Sequence, residues 1–217
     1  MQIEINQPIL GFNDRQADQN HQMLQTAGVY LVDILASPGA GKTSVILATI
    51  AQLRSQLRIA VIEGDLASDL DAQRVKAEGI PAIQINTGGA CHLEAAMVAQ
   101  ALAQLPCSEL DLILVENVGN LVCPTEFAIG ADLRVVIASV PEGDDKPQKY
   151  PGIFSIADAV LLNKIDTLAL FDFDLVAYEQ RLRALNPPVR FFPLSARNLS
   201  GVREWCDWLL AKVRPID

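Results

Sequence analysis

Clusters of positive charge and long apolar runs are both missing from this sequence of 217 residues. Acidic side chains outnumber basic ones by 26 to 17, which gives a formal net charge of −9. Because neutralising phosphates requires clustered Lys and Arg, this balance argues against a nucleic-acid partner. No segment approaches the ~20 apolar residues of a membrane span, and residues 1–10 lack a basic stretch followed by an apolar one. These absences predict a cytoplasmic protein without a membrane partner.

Histidine and cysteine are scarce, at two and four residues. The cysteines are widely spaced, at Cys91, Cys107, Cys123 and Cys206. Half of the chain is apolar, so a core can form without covalent crosslinks, and reduced thiols are favoured over a disulfide framework. Thiolates are therefore available to bind metal ions.

Apolar runs of strand length alternate with longer helical patterns along the chain, as in a parallel sheet with crossover helices. The predicted strands are 29–36, 58–63, 82–86, 111–115, 133–140, 159–163 and 190–193. The predicted helices are 42–56, 69–78, 92–105, 172–185 and 201–213, preceded by a polar helical segment at about 12–27. The pattern predicts an α/β fold over residues 1–217, a single domain with a doubly wound, mostly parallel sheet and a short N-terminal helical extension. Such a sheet places its ligand loops at the carboxyl ends of the strands.

Residues 36–43 (ASPGAGKT) follow an apolar strand and open a helix, which matches a P-loop except that Ala36 replaces the first glycine. The glycines allow backbone N–H groups to turn toward phosphate oxygens, and Lys42 can reach the β and γ phosphates. The Thr43 hydroxyl can ligate Mg²⁺. The predicted phosphate site for GTP or GDP consists of Pro38, Gly39, Ala40, Gly41, Lys42, Thr43 and Ser44.

Two acidic residues, Asp65 and Glu116, lie at the tips of apolar strands, where both could bind the same Mg²⁺ as Thr43. Residues 116–119 (ENVG) stand in the place of a D-x-x-G switch, so the Gly119 N–H could sense a γ-phosphate. No glutamine follows Gly119 to orient water. We therefore predict that Asp65 positions the water, that intrinsic hydrolysis is slow, and that Lys42, Asp65 and Glu116 form the catalytic group. The alternative is that both acids are simply solvated.

Two further segments at strand ends are similar to the base-reading elements of GTPases. They are Asn163-Lys164-Ile165-Asp166 and Ser195-Ala196-Arg197. The Asp166 carboxylate can accept hydrogen bonds from guanine N1–H and the 2-amino group, whereas adenine has no donors there. The Ala196 N–H suits the guanine O6, and the stem of Lys164 can lie along the ring. The pattern predicts a guanine-selective pocket, with an ATPase as the alternative.

Cys91 and His92 follow a glycine-rich loop, and Cys123 lies four residues beyond Gly119. Two thiolates and an imidazole are ligands that Zn²⁺ and Ni²⁺ prefer. A helix predicted to start at His92 would lower the pKa of the Cys91 thiol, and Pro124 favours an extended backbone at Cys123. Taken singly, each of these residues is more often structural, but their joint placement predicts a metal site.

Together these motifs resemble the HypB family of hydrogenase-maturation nickel-insertion GTPases, which are P-loop GTPases of the SIMIBI class. The matching segments are SPGAGKTS (37–44), EGD (63–65), GGACHL (88–93), VENVGNLVCP (115–124), EGDDKPQKYP (142–151) and NKID (163–166). The resemblance implies nickel or zinc binding at Cys91, His92 and Cys123, at the interface of a homodimer that GTP favours. It also implies delivery of Ni²⁺ to [NiFe]-hydrogenase large-subunit precursors, together with a small HypA-type zinc protein.

The sequence departs from some members of that family, which carry a cysteine-rich nickel motif or a histidine-rich tract near the N-terminus. Here the first cysteine is Cys91 and there are two histidines, so tight nickel binding by the N-terminus and metal storage are not expected. Two alternatives stay open at this point. The first is a urease-accessory GTPase, a family that resembles this one but has a Cys-Pro-His arrangement rather than a Cys-His pair. The second is a nucleotide-gated binding protein whose cysteines are structural.

Two expectations concern movement and assembly. Residues 144–151 are predicted to form a loop near the dimer contact, because two prolines stiffen it and its charges would be awkward elsewhere. The alternative is that this segment is simply a solvated loop. Gly119 and Cys123 are four residues apart, so a nucleotide that moves Gly119 should also move a metal ligand.

Overall fold

The computed structural model describes residues 7–65 and 70–214, and its centre is a seven-stranded sheet. The strands are β1 Tyr30–Ala36, β2 Ile59–Asp65, β3 Ala82–Asn86, β4 Leu112–Glu116, β5 Leu133–Ser139, β6 Ala159–Asn163 and β7 Arg190–Pro193. Their order is β3-β2-β4-β1-β5-β6-β7, and all six pairings are parallel. The predicted doubly wound α/β fold is confirmed, and each strand lies within two residues of its predicted bounds.

Helices cover both faces of this sheet. They are α1 Gln7–Ala27, α2 Lys42–Leu53, α3 Leu70–Ala77, α4 Ala95–Leu102, α5 Lys146–Lys149, α6 Pro151–Ser155, α7 Leu175–Leu185 and α8 Val202–Val213. Side chains of α2 and α8 pack on one face, whereas α1, α4, α6 and α7 pack on the other. The strands read as nearly continuous apolar runs because both faces of the sheet are covered.

Several helical predictions need correction. Helix α1 starts at Gln7 rather than at about 12, and α2 and α4 end at Leu53 and Leu102 rather than at 56 and 105. Helix α4 starts at Ala95 rather than His92, and α7 starts at Leu175, where Asp174 accepts a hydrogen bond from the Ala177 N–H at 2.9 Å. Segment 144–151, predicted as a loop, contains α5 and the start of α6. Of the predicted helix 69–78, Asp69 lies outside the described residues, and the observed α3 is Leu70–Ala77.

The late start of α4 has a tertiary cause. The Leu93 N–H donates to Asn117 Oδ1 at 3.0 Å, and the Ala95 N–H donates to Asn13 Oδ1 at 2.9 Å. Between them Glu94 has an extended backbone, with φ −96° and ψ 155°. Because side chains distant in sequence satisfy these donors, residues 92–94 stay outside the helix.

The N-terminal helix packs directly on α4 and the sheet. Asn13 and Asn20 are buried on its inner face. The Asn13 amide donates to the Ala128 carbonyl, and the Asn20 amide donates to the carbonyls of Ala95 and Ile129. Within residues 7–65 and 70–214, no helix is long and apolar enough to cross a membrane.

Candidate nucleotide and metal site

The loop between β1 and α2 has the backbone of a phosphate cradle. Gly39 and Gly41 have φ values of 78° and 98°, in the left-handed region where a side chain is disfavoured. A Cβ at Gly41 would also lie 2.5 Å from Asn163 Nδ2. Helix α2 begins at Lys42, so its N-terminus, whose first N–H groups have no acceptor within the helix, faces the loop. Ala36, the departure from the usual motif, is the buried last residue of β1.

Lys42 and Thr43 meet Glu116 across this loop. The Thr43 hydroxyl donates to Glu116 Oε1 at 3.2 Å, and Lys42 Nζ lies 4.0 Å from the same oxygen. Both Thr43 and Glu116 are buried. They are hard oxygen donors, which suits the preference of Mg²⁺ for carboxylate and hydroxyl ligands.

A cavity of about 220 Å³ adjoins this contact. Asp65, Glu116 and Gly119 line it, together with Lys42 and Pro38. A Cβ at Gly119 would lie 3.0 Å from Pro38 Cγ, so the absence of a side chain lets the 116–119 segment approach the P-loop closely. The structure thus brings the predicted strand-end acids and the predicted switch glycine to one place.

Glu63 is a residue of this cavity that the sequence prediction used only as part of a motif. It pairs in register with Glu116 on the neighbouring strand and is 2% exposed. Both carboxylates line the same cavity beside Lys42. The signal that could have identified it is an acidic residue inside an otherwise apolar strand, since charged groups are rarely buried without a partner.

The predicted base-reading residues meet at the ends of β6 and β7. Asn163 Oδ1 accepts from the N–H groups of Lys164 and Ala196, and its amide donates to the Ala40 carbonyl at 3.0 Å. Lys164 Nζ donates to the Gly39 carbonyl at 2.6 Å. Two segments that are remote in sequence are thereby joined to the P-loop.

Asp166 lines a cavity of about 420 Å³ next to these residues. The buried Ser195 hydroxyl donates to its Oδ1 at 2.6 Å. Arg197 NH1 lies 4.0 Å from Oδ2, but its side chain is 87% exposed, so water screens this ion pair. Ser195 therefore orients the carboxylate, which leaves acceptor capacity for a ligand that presents two N–H donors.

Cys91, His92 and Cys123 converge, with all three ligand atoms within 4.8 Å of one another. Cys91 Sγ lies 3.6 Å from His92 Nδ1. The His92 ring packs on Phe127, with ring centroids 3.9 Å apart, which restrains the imidazole. Two sulfur atoms and one imidazole nitrogen match the donor preferences of Zn²⁺ and Ni²⁺.

The ionisation of Cys91 differs from the sequence prediction. Because α4 starts at Ala95, Cys91 is not at a helix N-terminus. The extended backbone predicted at Cys123 is also wrong, because Cys123 begins a short 3-10 helix, Cys123–Thr125. The hydrogen bond with the Cys123 thiol, followed by burial, raises the pKa of Cys91. Burial lowers the pKa of His92, against the opposing charge of Glu94. A metal ion that binds here must displace thiol protons, so binding should release protons.

A larger cavity, of about 550 Å³, lies near the amino ends of β1 and β5 to β7. Its lining includes Tyr30, Asp158 and Trp208. None of the predicted site residues lines it. A search for the functional site by cavity size alone would therefore have selected this cavity rather than the one formed by the motifs.

The left-handed glycine loop, the lysine at the start of α2 and the parallel sheet define a P-loop NTPase fold. The family model of the CobW/HypB/UreG nucleotide-binding domain matches residues 31–193. The hydrogenase maturation factor HypB of Azotobacter vinelandii is 47% identical over 207 residues, which cover 95% of this chain and 68% of that protein. The chain belongs to the HypB family, as its motifs predicted.

Two solved structures are similar in both sequence and fold. HypB from Helicobacter pylori in complex with nickel has a TM-score of 0.89 and 37% identity, over 93% of this chain and 95% of that one. HypB from Archaeoglobus fulgidus has a TM-score of 0.88 and 36% identity, over 94% of this chain and 100% of that one. The likeness therefore spans nearly the whole chain.

Proposed function

We propose that this chain is a cytoplasmic, GTP-hydrolysing metallochaperone that helps insert nickel into [NiFe]-hydrogenase precursors. The observation that carries the proposal is the convergence of Cys91, His92 and Cys123, with Cys123 four residues beyond Gly119, which lines the cavity beside Lys42. Relatives named hydrogenase maturation factors, and a HypB structure that contains nickel, support the cargo and the target. The partners would be a HypA-type zinc protein and the hydrogenase large-subunit precursor.

The nucleotide is proposed to be GTP. The P-loop residues 38–44 and the Gly119 N–H would hold its phosphates, and Asp166 would read the guanine. Thr43, Asp65 and Glu116 would hold Mg²⁺, which when bound neutralises charge on the β and γ phosphates. Lys42 would bind the same phosphates, and Asp65 would orient water. Hydrolysis would be slow, because no glutamine follows Gly119.

Nickel would be the cargo of the Cys91, His92 and Cys123 group, for which zinc can compete because both ions accept the same donors. Cys123 lies on the segment that continues from Gly119. If GTP draws Gly119 toward its γ-phosphate, the Cys123 thiol moves relative to Cys91 and His92. Metal affinity should then depend on the nucleotide, and linkage requires that metal changes the relative affinity for GTP and GDP by the same factor.

Replacement of Cys123 tests this function directly. The unmodified protein should bind one equivalent of Ni²⁺, with affinities that differ by ~5- to 150-fold between the GTP-analogue and GDP forms. Cys123→Ala should weaken Ni²⁺ binding by at least ~10- to 100-fold, the loss typical when even a hydrogen-bond partner of a ligand is removed, and should reduce that difference, because a ligand on the moving segment is lost. GTP affinity should persist, since no proposed phosphate or base contact involves this thiol. Titration calorimetry with Ni²⁺ in each nucleotide state measures both effects.

Cys107→Ala is the matched control, because Cys107 is a partly buried free thiol outside the group of three. It should leave Ni²⁺ affinity unchanged. Absence of stoichiometric Ni²⁺ uptake by the unmodified protein would reject the metallochaperone and favour a nucleotide-gated binding protein with structural cysteines. Equal Ni²⁺ affinities in the two nucleotide states would reject the coupling and leave the GTPase proposal in place.

A GTP-dependent homodimer is also proposed, although one reason for placing its contact at residues 144–151 has failed. The charges of that segment pair within the protomer: Lys146 with Glu142 at 3.2 Å, Lys149 with Asp145 at 2.6 Å, and Arg181 with Asp144 at 3.1 Å. The proposal now rests on family membership alone. Light scattering should show twice the mass with a GTP analogue as with GDP, and the same mass in both states would contradict it.

A further inference from the structure

Two asparagines on either side of Gly119 connect the predicted switch to the loop that carries Cys91 and His92. Asn117 Oδ1 accepts a hydrogen bond from the Leu93 N–H at 3.0 Å. Asn120 Nδ2 donates to the Cys91 carbonyl at 3.3 Å. Residues 117–123 therefore carry the ligand Cys123 and also hold, through these two hydrogen bonds, the loop that carries the ligands Cys91 and His92.

The Asn117 contact is fixed to the sheet. Asn117 is fully buried, its amide donates to Asp33 Oδ1 at 3.1 Å, and its Oδ1 also accepts from the Val118 N–H at 2.9 Å. On the other side, the Leu93 side chain packs against Gly64 of β2, where a Cβ would lie 2.8 Å from Leu93 Cδ1. Leu93 is therefore held from both directions and cannot shift without disturbing packed core atoms.

The Asn120 contact lies beyond Gly119 and is less constrained. Asn120 is partly exposed, and its Oδ1 accepts from the Val122 N–H at 2.8 Å. That local bond orients the amide so that Nδ2 faces the Cys91 carbonyl. Movement of Gly119 relative to Pro38, against which it packs, would carry Asn120 along while Asn117 stays in place.

We propose that Asn120 is a positioning residue that transmits the nucleotide state from Gly119 to Cys91, with Asn117 as the fixed anchor. The inference rests on the proposed function, and it adds a second route to the one that runs along the chain to Cys123. When Gly119 moves toward a γ-phosphate, the Asn120 amide shifts the Cys91 carbonyl, while Leu93 stays on the sheet. The Cys91 thiol then changes its position relative to His92, which alters metal affinity.

Two substitutions at Asn120 separate its two hydrogen bonds. Asn120→Asp keeps an acceptor for the Val122 N–H but has no donor for the Cys91 carbonyl, whereas Asn120→Ala removes both. In each variant the ratio of Ni²⁺ affinities between the GTP-analogue and GDP forms should move toward one by a factor of roughly two to ten, as expected for the loss of one hydrogen bond. The negative charge that Asn120→Asp introduces acts in both nucleotide states, so it largely cancels in the ratio. The control Gln104→Ala removes an exposed amide at the end of α4 and should leave the ratio unchanged.

Titration calorimetry with Ni²⁺ alone, at nucleotide concentrations that saturate each variant, gives the ratios. If the unmodified protein shows a ratio different from one and the Asn120 variants keep it, the inference fails and the proposed function stands. If the unmodified protein binds no Ni²⁺, the proposed function fails and the inference fails with it. The anchor is tested without a substitution, because amide exchange at Leu93 should be equally slow in both nucleotide states. Exchange that depends on the nucleotide would overturn the role of Asn117.

Discussion

Lys42→Ala is expected to lower the affinity for GTP and GDP by roughly 30- to several-thousand-fold. Truncating one partner of a buried charge contact costs about 2–5 kcal/mol, and the Lys42 side chain is 10% exposed beside the cradle. The fold should persist, because the proposed role of this ammonium group is to attract phosphate charge and it fills no part of the apolar core. Nucleotide titration monitored by fluorescence or calorimetry, together with a thermal melt, measures both expectations.

Lys212→Ala is the matched control for Lys42→Ala. Lys212 is exposed on α8 near Trp208, and its removal changes the net charge by the same amount. It should bind GTP as the unmodified protein does. Undiminished GTP affinity in folded Lys42→Ala would refute the assignment of residues 38–44 as the phosphate site.

Asp166→Asn is expected to lose GTP and to accept xanthosine triphosphate. The carboxylate accepts from two guanine donors, whereas an asparagine amide presents one acceptor and one donor group. At least one guanine donor would then be left without a partner, which costs about 1–3 kcal/mol and lowers affinity by roughly 5- to 150-fold. Xanthine has a carbonyl where guanine has the 2-amino group, and the new amide can donate to it. Competition binding with both triphosphates measures the exchange of preference.

Asp172→Asn is the control for that substitution, because Asp172 is an exposed acid at which the change of charge is identical. It should retain the preference for GTP.

The position of Asp166 is defined by its hydrogen bond with Ser195, so Ser195→Ala should also weaken GTP binding, but by less than Asp166→Asn does. Unchanged GTP affinity in Asp166→Asn would mean that the base is read elsewhere, and a preference for ATP in the unmodified protein would reject the guanine assignment.

Most of the site could be predicted from the sequence because its motifs lie at strand ends. The carboxyl ends of parallel strands meet at one edge of the sheet, so the P-loop, Glu116 and Asp166 had to converge once the strands were identified. The Cys91, His92 and Cys123 group followed from the same rule, with ligand types that metals prefer. Glu63 was overlooked because a motif match does not show that its carboxylate is buried beside Glu116.

The sequence by itself determined the seven strands and the P-loop, because these depend on local properties. A continuous apolar run indicates a strand that is buried on both faces. Gly39 and Gly41 can adopt a left-handed backbone whatever surrounds the loop. Only the tertiary structure decided where α4 begins, how the charges of residues 144–151 are paired, and which asparagines connect Gly119 to the metal ligands. Each of these depends on groups distant in sequence. Asn13 and Asn117, for example, accept hydrogen bonds from the N–H groups of Ala95 and Leu93. Such long-range pairings leave no periodic pattern in the sequence from which they could be predicted.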